Sequence, residues 1–137
     1  MIESAFRTSV CTKLTDKVHR QPMVATFMGC AGTPDTYFDF ASDLWVEWKC
    51  LDRDDHLPST IPETKMPNPR QRAWLTRRFN AGGNACCIVG LKLRGRAFGF
   101  VLETPAEWSS PPSLAWYQPR LRTAAELAAY ILKRVST

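Results

Sequence analysis

The stretch DLWVEWKC, residues 43–50, is an aromatic and β-branched run that contains an acid and a lysine. Such a run is typical of a buried strand, in which an unpaired charge is costly. Because strand side chains alternate between faces, Glu47 and Lys49 share one face with Trp45, and Trp48 lies on the other face. The run therefore predicts a strand with one apolar face and one face that carries a carboxylate and an ammonium group about 7 Å apart.

The preceding segment TYFDF, residues 36–40, predicts a second strand that pairs with this run through a turn at residues 41–43. That turn predicts a register in which Asp35 lies opposite Lys49 and diagonal to Glu47, on one face of the sheet. A two-residue turn would shift the register by one residue and separate the two carboxylates. A kink or a bulge at the start of the strand could restore their proximity.

Other acidic residues compete for the same site. In the predicted register Asp39 faces Trp45, and it is the second candidate for a role beside Glu47. Asp43 lies on the same face as Glu47 but about 13 Å away along the strand, which favours a role in the turn. Three further aspartates belong to a polar loop and are expected to be solvated, namely Asp52, Asp54 and Asp55.

Two carboxylates and a lysine on adjacent strands suit phosphodiester hydrolysis. Paired carboxylates bind a hard divalent cation such as Mg²⁺, which also accepts phosphate oxygens. A neighbouring lysine can hold a water molecule and neutralise the charge of the transition state. With only two histidines, His19 and His56, the chain does not favour a histidine-rich metal site.

The remaining segments predict one mixed sheet flanked by helices in an α/β layer structure. The predicted order is a helix, three strands, a helix, two strands and a helix. A polar loop and an irregular segment interrupt this order at residues 51–67 and 104–120, and nothing in the chain suggests a linker between domains. The first predicted helix is residues 2–14, and the second lies between the N-cap Asn68 and the stop Gly82–Gly83. The third is residues 124–134, after a Thr123/Glu126 capping box. The predicted strands are residues 23–28, 36–40, 44–50, 84–91 and 97–102.

Composition narrows the class of protein further. The chain has 137 residues and a formal net charge of +5, which favours an anionic partner. Its five cysteines, two of them adjacent, favour small buried side chains in a reducing cytoplasm over a disulfide framework. No signal-peptide pattern follows Met1, and no run is apolar enough for a membrane span.

Two motifs carry a resemblance to a known family. GTPD at residues 32–35 and LWVEWK at residues 44–49 resemble the motif of the PD-(D/E)XK nuclease superfamily. NPRQRAWLTRRFNAGGNACCIVG, residues 68–90, resembles the helix and strand that follow this motif in the viral-type replication-repair nuclease (VRR-NUC) branch. The resemblance covers about residues 1–102, and it implies a restriction-endonuclease-like fold in a single domain of residues 1–137 with a C-terminal extension.

The resemblance also assigns roles to individual residues. Asp35 and Glu47 would be ligands of Mg²⁺ or Mn²⁺, and Lys49 would be the catalytic lysine. Glu3 matches the place from which family members often contribute a further glutamate, although a glutamate there also suits a helix N-terminus. Gln71 matches a position near the scissile phosphate, and it could equally be a glutamine at the rim that is hydrogen-bonded to backbone. The bulky Trp48 and the long loop at residues 51–67 depart from the branch.

Arginine and lysine residues cluster after the loop and in the KLRGR turn. Arginine suits phosphate because its guanidinium binds two oxygens at once. Basic residues that flank the acidic pair would hold a nucleic-acid backbone without reading its sequence, although any one of them could simply be a solvated surface residue. The candidate DNA contacts are Arg70, Arg72, Arg77, Lys92, Arg94 and Arg96, with the KLRGR turn the first choice.

These features predict a Mg²⁺-dependent endonuclease that acts on branched or junction DNA, a substrate class that the resemblance alone implies. A homodimer would present two sites to two strands. A bacteriophage or bacterial source is expected from size and family, which places the protein in the cytoplasm. Two alternatives stay open: a non-catalytic nucleic-acid-binding protein that keeps the fold, and a structural or inhibitory protein whose tryptophans form an interface.

Overall fold

The described strands form a six-stranded sheet in the order β1 to β6. The structure is a computed structural model that describes residues 3–23, 34–51 and 56–137. Its strands are β1 (His19–Pro22), β2 (Thr36–Asp39), β3 (Asp43–Cys50), β4 (Ala85–Leu93), β5 (Arg96–Leu102) and β6 (Arg122–Thr123). Its helices are α1 (Glu3–Cys11), α2 (Pro69–Asn80), α3 (Pro105–Trp108), α4 (Leu114–Tyr117) and α5 (Ala124–Val135), with 3₁₀ turns at Glu63–Lys65 and Gln118–Arg120.

The sheet is mixed, as the sequence predicted. Strands β3 and β4 run parallel, and the other neighbouring pairs are antiparallel. The parallel pair is joined by a crossover that contains α2, which is the connection that parallel strands require. The fold is therefore the α/β architecture expected from the order of the segments.

Helices cover both faces of the sheet. One apolar cluster joins α1 and α5 to the face that carries Trp48, and its members include Phe6, Val46 and Ile131. A second cluster joins α2, α3 and α4 to the opposite face, around Leu75. Glu47 belongs to this second face by strand alternation, beside Cys87 of β4.

The predicted helix boundaries after the long loop are confirmed. Asn68 caps α2, Pro69 is its first residue, and the helix ends at Asn80. Gly82 then adopts a φ of +79°, a conformation that glycine tolerates. The Thr123 and Glu126 side chains form the expected capping box at the start of α5.

Several segment predictions were wrong. Residues 19–22 form β1, an exposed edge strand without an apolar pattern that would have revealed it. The segment predicted as irregular contains α3 and α4, each only one turn long, and β6 has just two residues. The predicted strand at residues 23–28 lies outside the described residues except for Met23.

The register of the β2–β3 hairpin was also wrong, by two residues. Asp39 pairs with Asp43 instead of facing Trp45, and Tyr37 pairs with Trp45 instead of Glu47. The turn therefore consists of residues 40–42 and begins one residue earlier than predicted. Because a shift of two preserves the alternation of faces, the same side chains still share a face.

The buried cysteines agree with the expectation of small apolar side chains. Cys11, Cys86 and Cys87 are buried free thiols, and Cys50 is also buried. Cys30 lies outside the described residues. Within the described ranges, the helices are all too short or too polar to cross a membrane.

Candidate active site

The observed register brings Asp35 beside Glu47. The Thr36–Val46 pair is the last pair of the β2–β3 ladder, so Asp35, one residue earlier, lies opposite Glu47. Asp35 is held by two main-chain contacts: its Oδ2 accepts a 3.0 Å hydrogen bond from the N–H of Trp48, and its carbonyl accepts one of 2.8 Å from Met23. The shifted register thus brings the two acids closer than the predicted diagonal arrangement.

Glu47 is a buried carboxyl group whose environment opposes its ionisation. The residue is only 1% exposed, and its Oε1 has no hydrogen-bond partner. Burial, with the hydrogen bond to Asp35 and the charge of that residue, raises the pKa of Glu47 well above its ordinary value, and Lys49 opposes this effect. A buried oxygen without a partner is costly, so this atom indicates a missing cation or donor.

Lys49 and Glu3 complete the group that surrounds the paired acids. Lys49 is half-buried on the face of β3 that carries Glu47. Glu3, at the first turn of α1, interacts electrostatically with Asp35 and Lys49. Partial burial and the charge of Asp35 raise the pKa of Glu3, while Lys49, Arg7 and Lys65 lower it. The four residues proposed from the sequence for the metal site and its lysine therefore interact with one another electrostatically.

Two residues that the sequence did not single out border this group. Thr36 is buried, and its Oγ1 accepts a 3.0 Å hydrogen bond from the indole N–H of Trp48. Cys87 pairs with Glu47 across β3 and β4, and burial together with the Glu47 carboxyl raises the pKa of the Cys87 thiol. A threonine in an aromatic strand and a cysteine pair in an apolar strand are too common to have revealed these contacts.

Gln71 takes part in a helix cap. Its side-chain Oε1 accepts a 2.9 Å hydrogen bond from the N–H of Asn68, and its own N–H donates to Oδ1 of Asn68 at 2.9 Å. This is the backbone-bonded arrangement that the sequence left open as an alternative. A role for Gln71 at the scissile phosphate stays a prediction.

The competing aspartates lie elsewhere. Asp39 is four residues from Asp35 along the chain, about 13 Å in an extended strand, at the closed end of the hairpin. Asp43 forms an ion pair with Arg78, with 3.0 Å between Oδ2 and Nη2. The loop aspartates at positions 52, 54 and 55 lie outside the described residues. Among the described acids, Asp35 is thus the one placed opposite Glu47.

The KLRGR turn projects from the end of the sheet that carries the site. Val89 pairs with Lys49, so Arg94 lies about 16 Å further along the strand direction. Arg94 and Gly95 have φ values of +52° and +77°, which describe a tight hairpin turn. Arg94 and Arg96 are exposed and Lys92 is half-buried.

The predicted contacts on α2 differ from one another in their surroundings. Arg70 and Arg77 are exposed. Arg72 is half-buried and forms a 3.1 Å ion pair with Glu63. Arg70 and Arg77 are therefore better placed than Arg72 to contact a phosphate.

Basic residues near the C-terminus line a separate cavity of about 660 Å³. Tyr130 lines this cavity, and the guanidinium groups of Arg122 and Arg134 lie 4.8 Å and 5.6 Å from the centroid of its ring. Glu103 accepts hydrogen bonds from Tyr130 and Arg134. Glu3, Asp35 and Glu47 do not line this cavity.

The donor set at the site fits a hard divalent cation held by two carboxylates. Within residues 3–23, 34–51 and 56–137, no group of three Asp, Glu, His or Cys side chains has the geometry of a metal site. Mg²⁺ is usually bound through one or two carboxylates and keeps several waters, so the Asp35–Glu47 pair meets its requirement. The buried Oε1 of Glu47 is the atom that such an ion would satisfy.

The fold is that of the restriction-endonuclease-like α/β proteins. The structure is similar to that of Hjc from Archaeoglobus fulgidus, which is described as a Holliday junction resolvase from an archaeal hyperthermophile. The two chains are 17% identical, with a TM-score of 0.50 over 94% of this chain and 97% of that one. The likeness therefore extends beyond residue 102, where the sequence resemblance ended. Neither a protein family nor a curated protein matches the sequence.

Proposed function

We propose that the chain is a metal-dependent DNA endonuclease of the PD-(D/E)XK type that hydrolyses phosphodiester bonds in branched or junction DNA. The observation that carries this proposal is the buried Oε1 of Glu47, which has no partner although it lies beside Asp35 and Lys49. A site built only for stability would not leave a buried carboxyl oxygen unsatisfied. A site built to hold a cation and a phosphate requires such an oxygen.

Asp35 and Glu47 would hold Mg²⁺ or Mn²⁺, with Glu3 as a further oxygen donor. The bound ion would supply Lewis-acid stabilisation of the negative charge on the phosphate. The main-chain N–H of Trp48 fixes the orientation of the Asp35 carboxylate by its hydrogen bond to Oδ2. The protein thus orients one acid through its backbone and the other by burial.

Lys49 would act on the reacting groups. Its ammonium group positions the attacking water and donates to the phosphoryl oxygens, where charge develops in the transition state. The oxygen of the water would bond to phosphorus as the water gives up a proton to solvent, and the ester bond to the leaving sugar oxygen would break as that oxygen takes up a proton from solvent. Lys49 is half-buried, so its charge acts in a partly water-excluded site.

The choice of branched DNA rests on three supports. The structure compared above is that of a Holliday junction resolvase. The net charge of +5 suits a polyanion, and the KLRGR turn extends from the same end of the sheet as the acidic pair. Contacts to phosphates alone select the shape of DNA and not its sequence. A homodimer of the chain would present two such sites to two DNA strands. The closer assignment to the VRR-NUC branch stays a prediction from the motifs.

The test is a cleavage assay with four-way junction, flap, duplex and single-stranded DNA. Each substrate is incubated with Mg²⁺, with Mn²⁺ and with a chelator. We expect cleavage of branched DNA that requires metal and falls about 100- to 1000-fold in Lys49→Ala. Lys13→Ala is the matched control. Lys13 is exposed and follows the C-terminal end of α1, whereas Glu3 lies at the N-terminal end of this helix.

The alternatives give different results in the same assay. Metal-independent binding of DNA without cleavage by any form would support the non-catalytic nucleic-acid-binding protein. Absence of both binding and cleavage would leave the structural or inhibitory protein. Cleavage that persists in Lys49→Ala would contradict the role assigned to that lysine.

A further inference from the structure

Three aromatic side chains lie together on the face of the sheet that carries the paired acids. The rings of Tyr37 and Trp45 have centroids 4.7 Å apart, and the ring of Trp45 lies 5.1 Å from that of Trp74 on α2. All three residues are half-buried, so each keeps part of its surface open to solvent. The aromatic trio, Tyr37, Trp45 and Trp74, therefore forms a continuous aromatic surface beside the second apolar cluster.

Strand alternation places this trio directly beside the candidate site. Trp45 is two residues before Glu47 on β3, and Tyr37 is two residues after Asp35, so the rings and the acids share one face of the sheet. Two residues of a strand span about 7 Å, which corresponds to about two base steps of stacked DNA. A strand whose phosphate lies at the acids would therefore bring a base within about two nucleotides of that phosphate to the trio.

Exposed arginines flank the trio on α2. Arg70 is four residues before Trp74 and Arg77 is three residues after it, so the three side chains lie on one side of the helix. Both arginines are exposed. Proteins hold single-stranded nucleic acid with aromatic rings among positive charges, because the rings stack on bases while the charges hold phosphates. The surroundings of Trp74 thus favour a nucleic-acid strand over an uncharged apolar ligand.

The other end of the trio carries acids that are already compensated. Asp39 and Asp43 pair across the hairpin, and Asp43 forms its ion pair with Arg78. Burial and the charges of these two acids raise the pKa of Tyr37, so its hydroxyl stays protonated at neutral pH. The trio is therefore a neutral surface whose positive border lies on the side of α2.

We propose that the aromatic trio is a stacking platform for an unpaired nucleobase within about two nucleotides of the phosphate held at Asp35 and Glu47. This inference rests on the proposed function for the position of that phosphate, whereas stacking itself requires no cleavage. It narrows the substrate class to branched DNA with unpaired nucleotides beside the branch, such as a flap. A base inside a duplex is covered by its neighbours, so only an unpaired base offers its face to the rings.

Two other roles for the trio give different results. Rings that serve only to pack the core would contribute to stability, and their loss would affect every DNA substrate equally. Rings that form an interface with a second copy of the chain would determine the oligomeric state, which sedimentation equilibrium measures. A stacking platform predicts instead an effect that depends on whether the DNA has an unpaired base.

The experiment measures DNA binding without cleavage, in the presence of a chelator. The probe is a flap with the fluorescent base 2-aminopurine at the first or the second unpaired nucleotide of its single-stranded arm, and the reference is a duplex of equal length. Stacking on an aromatic ring quenches the fluorescence of this base. We expect the wild type to quench the unpaired 2-aminopurine and to bind the flap on the order of 10-fold more tightly than the duplex.

Trp74→Leu should lose most of the quenching and most of the preference for the flap, whereas Trp74→Phe, which keeps a ring, should retain most of both. Trp116→Leu is the matched control, because Trp116 on α4 is also half-buried but its ring packs against Phe100 of β5 and Arg120. Urea unfolding establishes that each variant is folded. If Trp74→Leu does not fold, Tyr37→Leu at the other end of the trio tests the same prediction.

The outcomes separate this inference from the proposed function. An equal loss of affinity for flap and duplex in Trp74→Leu would assign the rings to core packing and overturn the inference. A changed assembly mass in Trp74→Leu, with the flap preference retained, would assign the rings to a second copy and also overturn it. Neither result affects the proposed function, which depends on metal-dependent cleavage. Quenching that requires Trp74, in a protein that cleaves no DNA with Mg²⁺ or Mn²⁺, would instead support the platform and overturn the proposed function.

Discussion

The main-chain N–H of Trp48 donates a 3.0 Å hydrogen bond to Oδ2 of Asp35. This contact joins the residue before β2 to the residue between Glu47 and Lys49, so the backbone of one strand orients the carboxylate carried by the other. Orientation by the main chain also means that the contact survives any change of the Trp48 side chain that preserves the strand.

Asp35→Asn should abolish cleavage and Asp39→Asn should not. An asparagine oxygen can still accept from the Trp48 N–H, so the fold is preserved while the charge that holds a cation is lost. We expect a loss of activity of about 100-fold or more in Asp35→Asn. Asp39 lies at the closed end of the hairpin, which makes Asp39→Asn a matched control. Loss of activity in the control alone would show that the ligand assignment is wrong.

Thr36→Val should destabilise the protein through Trp48. The change removes the acceptor of the indole N–H and leaves a buried donor without a partner. We expect the free energy of unfolding to fall by about 1–3 kcal/mol. Urea unfolding, monitored by circular dichroism, measures this difference.

The coupling between the two residues can be tested with a second change. Trp48→Phe removes the donor as well, so Thr36→Val should cost less in that background than in the wild type. Equal costs in the two backgrounds would mean that the hydrogen bond contributes nothing to stability. Both variants keep the main-chain contact to Asp35, and neither should eliminate metal binding.

Without metal, the stability of the protein should fall as the pH rises. The pKa of Glu47 is higher in the folded protein than in the unfolded chain, because burial and Asp35 oppose its ionisation. The folded state therefore binds the proton more tightly, and stability present below the unfolded pKa is lost as the pH rises toward the folded one. The raised pKa of Glu3 acts in the same direction.

Unfolding in urea with a chelator, between about pH 5 and about pH 8, measures this dependence, since the unperturbed pKa of glutamate is near 4.3. Glu47→Gln carries no ionisable group at this position and should show a weaker dependence. Addition of Mg²⁺ should stabilise the wild type more at the upper end of this range than at the lower end. A wild-type profile as flat as that of Glu47→Gln would contradict the buried, proton-bound carboxyl.

The sequence was sufficient for the parts of the fold that rest on local chemistry. The N-cap Asn68, the stop at Gly82 and the alternation in residues 43–50 each depend on a few neighbouring residues, and all three are confirmed. The β2–β3 register depends on the length of the turn, and nothing in ASD distinguishes a turn at residues 40–42 from one at 41–43. The error of two residues preserved the faces, which is why Asp35 and Glu47 still meet.

Other features were out of reach because they depend on tertiary contacts. Strand β1 is exposed along its whole length and is stabilised by pairing with β2, so its sequence carries no periodic pattern. The position of Glu3 depends on how α1 packs. Gly90 and Gly99 were visible as isolated glycines inside strands, a pattern that indicates a close approach, but the sequence did not show that Phe6 makes it.

The KLRGR turn should contribute to DNA affinity without affecting cleavage chemistry. Arg94, at its tip, lies about 16 Å beyond Lys49 along the strand direction, too far to touch the reacting phosphate. Arg94 has a φ of +52°, so Arg94→Asn removes the charge with a residue that tolerates this conformation. Combined with Arg96→Gln, it should weaken binding of every DNA substrate similarly.

Titration of the binding constant against salt gives the sharper measurement. Each phosphate contact contributes about 0.9 to the slope of log K against log salt concentration, so the double variant should lower the slope by about 2. Lys17→Gln, an exposed residue in the turn after α1, is the control for net charge. A slope that changes equally in Lys17→Gln and in the Arg94→Asn/Arg96→Gln variant would assign the effect to overall charge, and the turn would then have no specific role in holding the DNA.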